Sequence, residues 1–171
     1  MAFHNPTSLS FIGAGAQGAV FLLDSGKCVK IYAFPDDAKL ESTVLTHVQS
    51  SSFFPKLFEA GVNYNVMEFI QGQGLDEYLL HNPSIDDAIA EKIIDLLEEM
   101  KRLGLHRIDA ALRHILLTPS QNLIAIDLVH SFVCHSPKPN ILLNELNNLN
   151  LLSRFMDFVR FQRPELYEDW L

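Results

Sequence analysis

Residues 11 to 32, Phe-Ile-Gly-Ala-Gly-Ala-Gln-Gly-Ala-Val-Phe-Leu-Leu-Asp-Ser-Gly-Lys-Cys-Val-Lys-Ile-Tyr, decide the fold. Gly13, Gly15 and Gly18 set out G-x-G-x-x-G, a spacing that serves two different backbone arrangements. In one, the third glycine opens a helix; in the other, the glycines form the tip of a β-hairpin. The flanks choose between them. Ala19 to Leu23 is apolar and β-rich, and Asp24-Ser25-Gly26 is a turn signal rather than a helix interior. Cys28 to Tyr32 is a second apolar run with Lys30 in its middle. The expected order is strand, glycine turn, strand, tight turn, and a third strand carrying a lysine. A lysine among apolar strand neighbours costs desolvation unless an anion meets it.

The rest of the first seventy residues continues this β-rich reading. Asp36 to Gln49 places Leu40, Val44, Leu45 and Val48 at helical spacing, so a short amphipathic helix is expected. Glu41 on that helix is the only glutamate between Lys30 and Glu59. Strands are expected over Phe54 to Glu59 and Tyr64 to Ile70, and Gln71-Gly72-Gln73-Gly74 reads as a connector. Beyond it the pattern turns helical. Leu75 to Leu80 is a short helix. Ser84, with Asp87 three residues on, predicts the cap of a helix that runs to Leu103 and is stopped by Gly104. Leu112 to Leu117 and Leu123 to Val129 predict a hairpin across Pro119-Ser120-Gln121-Asn122. Leu142 to Phe161 predicts one long helix, and Pro164-Glu165 a helix start.

Charged residues then fall in a telling order. His106-Arg107-Ile108-Asp109-Ala110-Ala111-Leu112-Arg113-His114 precedes the first strand of the hairpin, and Ile126-Asp127-Leu128-Val129 closes the second. Asp109 and Asp127 lie 18 residues apart. Glycine turn, Lys30, Glu41, Asp109 and Asp127, taken together and in this order, resemble the protein-kinase-like superfamily over residues 9 to 132, and especially its minimal bacterial serine/threonine kinase-like proteins.

That resemblance implies an α+β fold, a minimal protein-kinase-like one, with a β-rich N-lobe (about 1–70), a hinge (67–74) and a truncated helical C-lobe (about 75–171), all as one domain over 1–171. It implies an ATP-dependent phosphotransferase acting on a hydroxyl acceptor, either a serine or threonine of a protein or of the chain itself, or a small molecule. Gly13, Gly15, Gly18 and Val20 would bind nucleotide. Lys30, held by Glu41, would position the phosphates. Met67, the Glu68 carbonyl and the Ile70 amide would meet the adenine. Asp109 would orient the acceptor hydroxyl. Asp127 and His114 would hold Mg²⁺ or Mn²⁺. His114 stands where such kinases carry a metal-binding asparagine, a replacement that also resembles the lipopolysaccharide kinases. Imidazole suits Mn²⁺ better than Mg²⁺, which prefers oxygen.

The departures are specific. Arg107, not histidine, lies two before Asp109, and Val129 replaces the glycine of D-F-G. Only 44 residues follow Asp127, so a nucleotide site is expected without the platform that docks a protein substrate. This keeps a second reading open: a pseudokinase, a nucleotide-binding or fold-only module that regulates a protein partner. A dinucleotide-binding oxidoreductase is the third.

Composition sets the outer bounds. The chain has 171 residues, 48% of them apolar, and a net charge of −8. An acidic chain without a basic stripe argues against nucleic acid as a partner. Cys28 and Cys134 stand far apart with no C-x-x-C, so no zinc site or disulfide framework is expected, and both read as small core residues. Met1 to Ser10 has neither a charged segment nor an apolar one of the signal-peptide kind, and no run is long enough to span a bilayer. The expectation is a cytoplasmic protein, with a homo-oligomer or regulatory partner left open.

Overall fold

The computed structural model describes residues 8–171; the start of the Met1–Ser10 segment, up to Thr7, lies outside them. The chain divides into two compact units after Ile70. The first is built on a five-stranded antiparallel sheet: β1 (Ser10–Ala14), β2 (Gly18–Asp24), β3 (Lys27–Tyr32), then helix α1 (Pro35–His47), β4 (Leu57–Ala60) and β5 (Tyr64–Glu68), in the order β1-β2-β3-β5-β4. The glycine run is therefore a hairpin tip, as its flanks require. Apolar side chains on one face of the central strands, Ala19, Phe21 and Val29, are buried, with Leu9, Ile31, Tyr64 and Val66 packed around them. α1 starts at Pro35, whose fixed φ and missing N–H suit a first helical position, and Asp36 and Asp37 follow in the first turn, where negative charge meets the helix dipole favourably.

The second unit contains β6 (Gln73–Gly74), α2 (Leu75–His81), α3 (Asp87–Arg102), a 3₁₀ turn (Leu112–His114), β7 (Ile115–Leu117), β8 (Leu123–Ala125), α4 (Asn140–Asn148), α5 (Leu152–Gln162) and α6 (Pro164–Trp170). β6, β7 and β8 make a small antiparallel sheet. α3 is the core helix: Ile89, Ile93, Ile94, Leu96, Leu97 and Met100 are all buried, each worth about 1.5–3 kcal/mol relative to exposure. The whole is an α+β fold of the kind the kinase resemblance implies. Among the described residues, no helix is long and apolar enough to cross a membrane.

Four local expectations need correction. α3 is capped by Asp86, not Ser84: the Asp86 carboxylate accepts from the Ile89 amide at 2.8 Å, and Ile85 before it is buried rather than helical. The expected long helix over 142–161 is two helices. Asn150 adopts φ 59° between them, and Asn150 N–H and Leu151 N–H return to the carbonyls of Asn147 and Leu146. This is a Schellman stop with asparagine in the glycine role, the same device that Gly104 (φ 72°) supplies to α3. Periodicity runs through the break because Leu146, Leu151 and Phe155 are buried on both sides of it. The hairpin is shorter than expected, since Leu112–His114 coil into the 3₁₀ turn and the chain leaves the sheet after Ala125. Finally, Cys28 is buried but Cys134 is exposed on an irregular segment.

Candidate functional site

In the first unit the three glycines have different causes. A Cβ on Gly18 would lie 2.0 Å from the Ile31 carbonyl oxygen, so strand contact alone demands glycine there. A Cβ on Gly13 or Gly15 would meet nothing within 4 Å, and neither residue has a left-handed φ. Packing among the described residues does not require glycine at these two positions. What glycine does there is leave the backbone bare for close approach from outside the chain, as phosphate-binding turns need. The turn itself is closed by Gly15 N–H donating to the Gly18 carbonyl at 2.9 Å. Val20, paired with Lys30 across β2 and β3, is half-buried.

Lys30 is where the sequence placed it, in the middle of β3, and its ammonium lies 2.7 Å from Glu41 Oε2 on α1. Their side chains are 12% and 2% exposed, so this is a part-buried ion pair with Glu41 buried, rather than surface decoration. Lys30 Nζ also reaches Gln17 Oε1 at 3.4 Å, linking it to the glycine turn. Such a pair is no strong source of stability, because desolvation offsets most of the attraction. A fixed cation beside a bare glycine turn is instead suited to an anion.

Met67, on β5, is buried, and Glu68 ends that strand with its carboxylate accepting from the Lys56 amide at 3.2 Å. Ile70 follows, half-buried, at the end of the unit.

In the second unit Asp109 is only 7% exposed, and its carboxylate has internal work. Oδ1 accepts from the Ile141 amide at 2.6 Å, and Oδ2 lies 3.4 Å from Ser136 Oγ, whose single proton also faces the Lys138 carbonyl at 3.2 Å. Ile141 lies in the first turn of α4, whose own N-cap, Pro139, provides no side-chain cap; Asp109 does this from 32 residues away. The same helix holds the next turn: Glu145 Oε2 accepts from the Leu112 amide at 2.6 Å, and Glu145 Oε1 lies 3.6 Å from Arg113 Nη1. The segment from Asp109 to Arg113 is thus fixed to α4 by two carboxylates.

His114 and Asp127 come together. Nε2 and Oδ2 are 3.6 Å apart, both side chains are partly exposed, and Ile126 N–H donates to the His114 carbonyl at 2.8 Å. Asp127 takes φ 62°, a conformation uncommon for residues other than glycine and concentrated at functional sites. As a donor set the pair offers one carboxylate and one imidazole. Among the described residues no group of three His, Cys, Asp or Glu side chains is placed to hold a metal. Two protein donors fit a divalent ion that completes its shell with phosphate oxygens and water.

Sequence reading missed Tyr32, Asn65, Ser136 and Glu145. Tyr32 and Asn65 had a signal, as polar groups in otherwise apolar strands. Ser136 and Glu145 had none, because their partners are more than 25 residues away along the chain.

No protein-family model matches the chain. A protein of Bacillus subtilis (strain 168) named "Putative serine/threonine-protein kinase YrzF" is 28% identical over 126 residues, which cover 70% of this chain and 58% of that protein. The likeness suggests a kinase-like family. The chain spans less than two thirds of that relative.

Proposed function

We propose that the chain is an ATP-dependent phosphotransferase of minimal kinase fold, passing the γ-phosphate to a hydroxyl acceptor, foremost a serine or threonine of a protein or of itself. The observation that carries this reading is the Lys30–Glu41 pair beside a turn whose Gly13 and Gly15 no contact among the described residues requires. In the first unit, Gly13, Gly15 and Gly18 lie along the phosphates, Lys30 neutralises them, and Val20, Met67, the Glu68 carbonyl and the Ile70 amide take the adenine. In the second, Asp127 and His114 hold Mg²⁺ or Mn²⁺, whose charge offsets that of the phosphoryl oxygens, and Asp109 orients the acceptor hydroxyl. The kinase-named relative supports a kinase-like phosphotransferase.

A second reading is favoured by one observation: Asp109 is buried and its Oδ1 is engaged by the Ile141 amide of α4 at 2.6 Å. A carboxylate used as a helix cap suits a nucleotide-binding module that regulates a partner. Incubating the protein with labelled ATP and each metal separates the two. Phosphate transfer that is lost in Asp109→Asn and Asp127→Asn is the expected result, with Mn²⁺ supporting it at least as well as Mg²⁺. Transfer that survives both substitutions sinks the enzyme reading, and nucleotide binding without transfer favours the regulatory module.

A further inference from the structure

We propose that Tyr32 and Asn65 are positioning residues, a hydrogen-bond relay that fixes Glu41 and through it the ammonium of Lys30. The three residues that surround Glu41 share one face of the sheet. Tyr32 lies two positions after Lys30 on β3, and Asn65 pairs directly with Lys30 across β3 and β5. Glu41 Oε2 receives both Lys30 Nζ, at 2.7 Å, and the Tyr32 hydroxyl. Asn65 Nδ2 lies 2.9 Å from the Tyr32 hydroxyl oxygen and 2.9 Å from the Ala38 carbonyl of α1.

The direction of every bond in this relay follows from one carbonyl. Ala38 O can only accept, so the atom of Asn65 facing it must be the NH₂ group. That same NH₂ also faces Tyr32, so the tyrosine oxygen accepts there. The single hydroxyl proton of Tyr32 is then left to point at Glu41. The carboxylate is thereby held from two sides on one oxygen, and Lys30 meets an acceptor that cannot turn away. The Tyr32 ring also walls the ammonium, at 5.0 Å from its centroid.

The arrangement has a stability cost that marks it as more than packing. Asn65 is fully buried, and its Oδ1 has no partner among the described residues. A buried acceptor left unmade is unfavourable by about 1–3 kcal/mol, and an apolar side chain in that strand position would avoid it. Asn65 brings in exchange the two donations that tie α1 and Tyr32 together. A polar network that rigidifies one geometry at the expense of stability is what a site needing a fixed cation calls for. Its meaning for catalysis rests on the phosphotransferase reading; the relay itself does not.

The test follows hydrogen exchange of the Lys30 ammonium by NMR in the full chain. In Tyr32→Phe, which keeps the ring and its packing, exchange at Lys30 is expected to rise about tenfold, the loss of one ordinary hydrogen bond, while the β3 amides stay unchanged. Asn65→Leu is expected to move Lys30 in the same direction. In a Glu41→Ala background, which leaves no acceptor at that position, Tyr32→Phe should add nothing. Lys30 exchange unchanged in Tyr32→Phe, or an increment that persists without Glu41, overturns the proposal. A parallel titration compares ATP with adenosine: Tyr32→Phe should weaken ATP alone. A wild-type chain with no preference for ATP over adenosine overturns the phosphate reading of Lys30, and the exchange data still decide the relay.

Discussion

Removing the carboxylate of Asp109 is expected to unseat helix α4, and the size of the effect can be worked from the structure. The Ile141 amide at 2.6 Å donates to a charged acceptor, a bond of about 1.5–3 kcal/mol net. The same carboxylate serves as the cap that Pro139 does not supply and lies at the positive end of the helix, contributions of about 1 kcal/mol and 0.3–1 kcal/mol that largely overlap with the first. Asp109→Ala should therefore cost about 2–3 kcal/mol. Asp109→Asn keeps an oxygen for Ile141 and an NH₂ for Ser136, and should cost about 1 kcal/mol. Native-state hydrogen exchange reads this locally: the Ile141 amide in Asp109→Ala should exchange roughly 30- to 150-fold faster, at about 1.4 kcal/mol per tenfold. Urea unfolding should show a matching shift in midpoint. Ile141 protection and unfolding midpoint that stay within about 0.5 kcal/mol of wild type would refute the capping role. The comparison also protects the catalytic assignment, since transfer lost in Asp109→Asn while Ile141 stays protected reflects chemistry rather than a loosened helix.

The glycine run yields a contrast: Gly18→Ala should destabilise the first unit by more than about 2 kcal/mol in thermal unfolding, because its Cβ meets backbone. Gly13→Ala and Gly15→Ala should fold normally and lose ATP affinity instead, and equal stability losses at all three positions would contradict the reading. At the α4–α5 junction, Asn150→Ala should cost about 1–2 kcal/mol and Asn150→Gly little or nothing, since only the left-handed backbone is at stake. Burial pushes the Cys28 thiol up to about 11 from an ordinary 9.0, so one thiol, Cys134, should react with a disulfide reagent in the native chain and two in denaturant. Because the folded value is the higher one, the stability linked to Cys28 is complete below pH 9.0 and is lost as pH rises towards 11, visible as a melting temperature that falls more steeply in wild type than in Cys28→Ala.

The sequence by itself determined what is local. Turn chemistry at Asp24-Ser25-Gly26 and the alternating runs around it fixed a glycine-tipped hairpin, and helical spacing fixed α1 and the core face of α3. The kinase resemblance carried by its motifs also paired Lys30 with Glu41, the only glutamate between Lys30 and Glu59. A single residue in left-handed backbone, such as Asn150, was invisible because apolar periodicity continues on both sides of it. The tertiary structure decided the partners that depend on distance along the chain. It made Asp109 a cap for a helix 32 residues away, and Glu145 the anchor of the turn before β7. It also converted Tyr32 and Asn65 from strand residues into the orienting shell of Glu41. Hydrogen-bond direction is set by which group sits opposite, and no spacing rule carries that information across a sheet.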